Sequence, residues 1–222
     1  KNNMKKTAVI VETRKHKALE FVLNNVMTIL PPDWNLQIFH GLNNLQYINN
    51  IVESNNLLTS IKEKISFTNL NIESVTQEAS SEIMLSEQFW SSINGDIILY
   101  FECDSMLCPN SKYKVDDFLD FDYIGGYDII RNKWEPYVAN GGNTCEDYFV
   151  SACIEKHPTV KQVITFSIDC GYIAPLNMEA PFAVHKPWGV NPAKGHGKAY
   201  DQIKQVCNEI EVLKNLQGEY NV

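Results

Sequence analysis

Apolar positions along the chain fall into two alternating kinds of run. Thr7-Ala8-Val9-Ile10-Val11 is short, continuous and β-branched, the pattern of a strand buried on both faces. Ala18 to Leu30 follows with Leu19, Val22, Leu23, Val26, Ile29 and Leu30 at helical spacing, and Pro31-Pro32 stops it. Trp34 to Phe39 predicts a second strand closing at His40-Gly41. Leu45 to Glu53 predicts a short helix and Ile65 to Leu70 a third strand. Glu82 to Ile93 is amphipathic and predicts one helix, ended by Asn94-Gly95. Asp96 to Phe101 is then the most hydrophobic strand of the chain. This alternation predicts an α/β fold with a mostly parallel sheet. Beyond Asp120 the pattern turns irregular and rich in Gly, Pro and aromatics, as loops that build a site often are. Tyr200 to Leu216 predicts a closing surface helix.

Composition adds boundaries to this picture. With 222 residues, 44% hydrophobic and 21% charged, and with no repeat or linker, the chain reads as one domain over 1–222. A net charge of -8 argues against a partner held by broad phosphate neutralisation, so no nucleic acid is expected. No run reaches the ~20 apolar residues of a membrane span, so no transmembrane segment is expected. The polar start, Lys1 to Lys6, leads straight into a strand without a signal-peptide pattern, which places the expectation in the cytoplasm. None of the six Cys forms a C-x-x-C pair, which argues against a structural zinc site. A chain this long needs no disulfide staples, and free thiols are expected.

Three constellations carry chemistry. In the first, the buried strand 97–101 runs out into Glu102-Cys103-Asp104, and in extended backbone the i, i+2 spacing puts both carboxylates on one face. Open α/β sheets bind ligands beyond that edge, and paired carboxylates there suit Mn²⁺ or Mg²⁺. Two acids capping a strand in solvent are the alternative. The second constellation is P-F-A-V-H-K-P-W (181–188). It places an imidazole (His185), an ammonium (Lys186) and an indole (Trp188) close together, suited to a metal and a diphosphate or simply to a surface loop. The third is Asn140-Gly141-Gly142 followed by Glu146-Asp147. Here the glycines permit close backbone approach to a ligand and the acids offer a general base. The same residues also read as a turn feeding a helix capped by Thr144.

The ordered set resembles the GT-A fold glycosyltransferases. More narrowly it resembles a poorly characterised glycosyltransferase-like family found in bacteria, fungi and giant viruses. The resemblance runs through V-I-V-E-T-R (9–14), L-P-P-D-W (30–34), F-H-G (39–41), E-Q-F-W (87–90), I-L-Y-F-E-C-D-S (98–105), F-D-Y-I-G-G (121–126), N-G-G (140–142), C-E-D (145–147) and P-F-A-V-H-K-P-W (181–188). It implies a Rossmann-like three-layer sandwich, with a nucleotide-binding part at about 1–110. A part completing the acceptor and metal sites would span about 111–199, and a C-terminal helix 200–216. It implies a UDP-sugar donor, a glycan, protein or small-molecule hydroxyl acceptor, and inversion at the anomeric carbon. By resemblance, Val11, Glu12, Thr13 and Arg14 lie against base and ribose. Asp104 and His185 hold the metal, and Lys186 contacts the diphosphate. Glu102, Cys103 and Trp188 border the nucleotide, with Glu102 contacting ribose or a metal-bound water. Asn140, Gly141 and Gly142 line the donor sugar. Asp147, beside Glu146, is the base. Only Asn143, Thr144 and Cys145 separate N-G-G from E-D, where relatives carry a longer segment, so acceptor contacts are the least defined.

Two other classes compete. A nucleotidyltransferase would carry a Gly-rich loop after the first strand, and Glu12-Thr13-Arg14-Lys15-His16 has no Gly. A degenerate GT-A domain would serve as a nucleotide- or glycan-binding or structural module.

Overall fold

The computed structural model describes residues 4–84, 86–120, 167–169, 181–186, 188 and 197–217. The chain divides into two compact units. One comprises Lys1–Val75, Ser91–Pro109 and Glu209–Val222, the other Thr76–Trp90 and Asn110–Asn208.

The first unit is built on four parallel strands, β1 (Lys6–Glu12), β2 (Trp34–His40), β3 (Ile65–Asn69) and β4 (Ile97–Phe101). Their order is β3-β2-β1-β4. Strand β1 is therefore central, and Ala8, Val9 and Ile10 are fully buried, as its continuous apolar run requires. The chain steps from β1 outward to β2 and β3, then returns to the other side of β1 as β4. Parallel sheets reverse their winding at such a point, which opens a crevice between the carboxyl ends of β1 and β4. That crevice edge is where Glu12 and Glu102 lie.

Helix α1 (Leu19–Ile29) lacks a side-chain cap at its start. Packing holds it instead. Leu19, Val22, Leu23 and Val26 are fully buried, each worth about 2 kcal/mol, against about 1 kcal/mol for a missing cap. It ends where Leu30, preceding Pro31, is forced to an extended φ of -70° and ψ of 146°. The buried Asn25 side chain turns the helix into an anchor. Its amide donates to the Leu107 carbonyl at 3.0 Å and accepts from the Leu107 N–H at 2.8 Å, pinning strand β5 (Ser105–Leu107). Helices α2 (Leu45–Ser54) and α3 (Asn56–Ser60) follow β2.

Entry into β4 is fixed by Gly95. A Cβ there would stand 2.6 Å from Thr7 Oγ1 and 2.8 Å from Thr7 Cβ, while Thr7 Oγ1 donates to the Asn94 carbonyl at 2.7 Å. Gly95→Ala is therefore expected to lower stability by about 1–3 kcal/mol, read as a lower urea midpoint at unchanged slope.

The single helix expected over 82–93 is instead two, α4 (Gln77–Met84) and α5 (Glu87–Ser91). Ser86 separates them, because its hydroxyl accepts from the Phe89 N–H at 3.2 Å and so caps a new start. The C-terminal helix expected over 200–216 is likewise α6 (Gly197–Val206) and α7 (Ile210–Leu216), broken at Cys207 to Glu209. Nor is it a surface element. Ile203 and Cys207 are buried in one unit, and Ile210 and Leu213 in the other. The expectation of free thiols holds for Cys103 but not for Cys108 and Cys207, which are disulfide-bonded. Chain length bears on whether a staple is needed, not on where the fold puts thiols.

In the second unit β6 (Ser167–Asp169) pairs in parallel with β7 (Ala183–His185), Ile168 opposite Val184. Phe182 and Val184 are buried. Phe182 packs tilted against Phe118 with centroids 5.6 Å apart, and Phe118 against Tyr113 at 6.1 Å.

Candidate functional site

The carboxyl edge of β1 and β4 gathers most of the described candidates. Strand β1 delivers Val11 half-buried, Glu12 and Thr13 buried, and Arg14 exposed. Arg14 grips the Glu12 carboxylate as a fork, Nε to Oε1 and Nη2 to Oε2, each 2.8 Å, and its backbone N–H adds a third bond at 2.8 Å. The carboxylate raises the guanidinium pKa still further above its usual range. Thr13 faces inward, where its hydroxyl accepts the Val75 N–H at 3.1 Å. This ties the loop after β3 to the end of β1. Gly41 makes room for that loop, since a Cβ there would come within 2.8 Å of the Ile72 carbonyl.

Strand β4 ends differently from the sequence-based expectation. The backbone does not stay extended through the acidic triplet but reverses, with Ser105 N–H donating to the Glu102 carbonyl at 3.1 Å. The Ser105 hydroxyl closes the turn twice, accepting from Glu102 N–H at 3.0 Å and donating to the Glu102 carbonyl at 2.8 Å. Glu102 and Asp104 still converge, their carboxylate oxygens within 4.8 Å and both half-buried, while Cys103 turns inward. The pairing expected from strand geometry is thus made by a turn. Two acids this close, held on an acidic protein, suit a hard divalent cation by their all-oxygen chemistry. Tyr100 hydroxyl lies 3.4 Å from Glu102 Oε1.

Several residues that hold this edge escaped the sequence reading. Asn44, 1% exposed, opens α2 but does not cap it. Its amide donates to the carbonyls of Glu12 (2.7 Å) and Arg14 (3.1 Å), and its oxygen accepts the Gly41 N–H (2.9 Å). Gln217 donates to the Cys103 carbonyl at 2.9 Å and so supports the triplet from the C-terminal segment. Asn-Asn before an amphipathic run signals a helix cap, and only the fold diverts the side chain. His16 is also buried, with Nδ1 accepting the Ala18 N–H at 3.1 Å. Burial lowers its pKa and raises that of the Cys103 thiol, which hydrogen-bonds to Glu12.

The His16 shift has a sign that can be checked. Unfolded, the imidazole protonates near pH 6.5. Folded, it resists protonation, so below that pH the unfolded state binds more protons. Stability is then full above about pH 6.5 and falls as pH drops below it, toward the lower folded pKa. A His16→Gln variant should lose part of this acid-side slope in denaturant titrations.

In the second unit, His185 closes β7 half-buried, Lys186 is exposed and Trp188 is half-buried. Lys186 has φ of 41°, a left-handed backbone uncommon for a long side chain. Asn140, Gly141, Gly142, Glu146 and Asp147 lie outside the described residues.

Comparison with known proteins places this geometry. The model of a family described as Protein of unknown function (DUF5672) matches residues 64–144, which include β3, β4 and the acidic triplet. No curated protein matches the chain in sequence. Solved structures share its fold. The galactosyltransferase LgtC, in complex with donor and acceptor sugar analogues, is 14% identical with a TM-score of 0.55, the match covering 97% of this chain and 96% of that one. The glycosyltransferase GlyE of Streptococcus pneumoniae TIGR4, in its apo form, is 10% identical with a TM-score of 0.53, over 96% of this chain and 64% of GlyE. The bifunctional glycosyltransferase WbbM is 10% identical with a TM-score of 0.51, over 97% of this chain and 52% of WbbM. The fold is that of the GT-A glycosyltransferases, an α/β architecture with a mostly parallel central sheet. The chain spans less than two thirds of GlyE and about half of WbbM. Among the described residues no helix is long and apolar enough to cross a membrane.

Proposed function

We propose that this chain transfers a sugar from a UDP-sugar to a hydroxyl acceptor, with Mn²⁺ or Mg²⁺ as cofactor. The observation that carries the reading is the Glu102-Asp104 pair, converging at the carboxyl edge where the winding of a GT-A sheet reverses. Asp104 is the principal metal ligand and Glu102 supports it by contacting ribose or a bound water. On sequence grounds His185 supplies a further ligand and Lys186 contacts the diphosphate. The positive φ at Lys186 supports this, because strained backbone concentrates at sites of function. When bound, the metal offsets charge on the leaving diphosphate. Val11, Thr13 and Arg14 border the nucleotide, beside Cys103 and Trp188, while Glu12 holds Arg14 in place. Asn140, Gly141 and Gly142 line the sugar, and Asp147, with Glu146 beside it, deprotonates the acceptor hydroxyl for an inverting attack.

A thermal-shift screen of nucleoside diphosphates and nucleotide-sugars, with and without Mn²⁺, tests this. UDP with Mn²⁺ at a hundredfold excess over Kd adds about 2.7 kcal/mol of stability, or about 5–10 °C in Tm for a chain of this size. The shift should vanish with chelator. No shift with any nucleotide would sink the transferase reading and leave a GT-A domain that serves as a structural module.

A further inference from the structure

Glu12, His16 and Cys103 are 3%, 3% and 6% exposed. One potential ligand atom from each lies within 4.8 Å of the other two. They reach this point from the end of β1, the approach to α1 and the turn after β4. We propose that the three form a second metal site, one for a borderline-soft divalent ion of the Zn²⁺ kind, distinct from the oxygen site of Glu102 and Asp104.

The donor set carries the argument. Mg²⁺ and Mn²⁺ favour carboxylate, carbonyl and water oxygens, whereas thiolate with imidazole and one carboxylate is a zinc set. Ligand atoms about 2.0–2.3 Å from a tetrahedral Zn²⁺ stand about 3.3–3.8 Å apart, so the trio need contract by only about an ångström. Missing C-x-x-C spacing does not count against it, because the ligands come together through the sheet rather than along the chain. The Arg14 fork keeps the Glu12 carboxylate oriented, as partners of metal-bound carboxylates commonly do.

The exchange balances simply. The Cys103 S–H bond breaks, a sulfur–metal bond forms, and the proton passes to solvent. His16 gives up its bond from the Ala18 N–H in either of two ways. Nδ1 turns its lone pair to the metal, or the Nε2 proton moves to Nδ1 and Nε2 ligates. Glu12 contributes the carboxylate oxygen that lies within 4.8 Å of the other two ligand atoms, and shares its charge with the Arg14 fork. An ion there would tie the carboxyl ends of β1 and β4 together through side chains, independently of any donor nucleotide.

Cobalt(II) titration of the whole chain tests the site, because a thiolate ligand gives a charge-transfer band in the near ultraviolet. The band should appear stoichiometrically, survive Asp104→Ala, vanish in Cys103→Ser and change in His16→Gln. Zn²⁺ should displace the cobalt with a dissociation constant at least about tenfold below that of Mn²⁺. Absence of the band, its survival in Cys103→Ser or its loss in Asp104→Ala would each overturn the proposal. Should Cys103→Ser not fold, alkylation of Cys103 in the wild-type protein, mapped by mass spectrometry, decides the matter. Zn²⁺ should slow it, and equal rates with and without Zn²⁺ would overturn the site.

Discussion

Asp104→Asn is expected to abolish metal-dependent turnover of a UDP-sugar, lowering kcat by at least about a hundredfold, while the fold survives. The substitution keeps the size of the side chain and removes only the charge. Asp104 sits half-buried in a turn closed by hydrogen bonds between Ser105 and the Glu102 backbone, and these bonds do not use the Asp104 side chain. The same change at Glu102 should cost only a few-fold, since its proposed contact is to ribose or a bound water rather than to the ion. Release of UDP with Mn²⁺ present, measured beside circular dichroism of each variant, separates chemistry from folding. Undiminished turnover in Asp104→Asn would remove the metal assignment, and equal losses at both positions would make the pair symmetrical ligands.

Asn44→Ala is expected to cost about 3 kcal/mol of stability. The buried amide serves three backbone groups, the Gly41 N–H and the carbonyls of Glu12 and Arg14. Each group left without a partner away from water costs about 1–3 kcal/mol, and water reaches only the Arg14 end of the set. Asn44→Asp sharpens the test. It keeps the acceptor for Gly41 but turns an oxygen toward two carbonyls, so it should be at least as damaging as Ala. A neutral Asp variant in urea titrations would mean the two donated bonds contribute nothing. Because the two carbonyls lie at the end of β1 and in the turn after it, either variant should also weaken binding of UDP.

What could be read in the sequence follows from where side-chain burial dominates. Strands β1 to β4 lie within one or two residues of their expected bounds, because each is a continuous (β1, β4) or alternating (β2, β3) apolar run between polar breaks. The placing of Glu102 and Asp104 at a sheet edge follows for the same reason. Local hydrogen bonds were harder. Ser86 sits in an amphipathic stretch where periodicity alone predicts one helix, yet its hydroxyl starts a second. Ser105 converts an expected extension into a turn, so the two carboxylates meet by a route that periodicity does not encode. The supporting roles of Asn44 and Gln217 are not encoded by local pattern, since their partners are backbone groups brought near only by the completed sheet.

The central position of β1 has a consequence for how the chain is made. Its partner on one side, β2, begins 28 residues after Lys6, where Lys6 faces Trp34, but on the other side Lys6 faces Ile97. A ribosome therefore releases β1, β2 and β3 long before β4 emerges, and the most apolar strand edge of the nascent chain stays uncovered throughout that interval. Contact order makes this long-range pairing the expected slow closure, and the Asp96 side chain and backbone then hold it against Lys5. In a cell, that interval is when a chaperone has most to offer this protein.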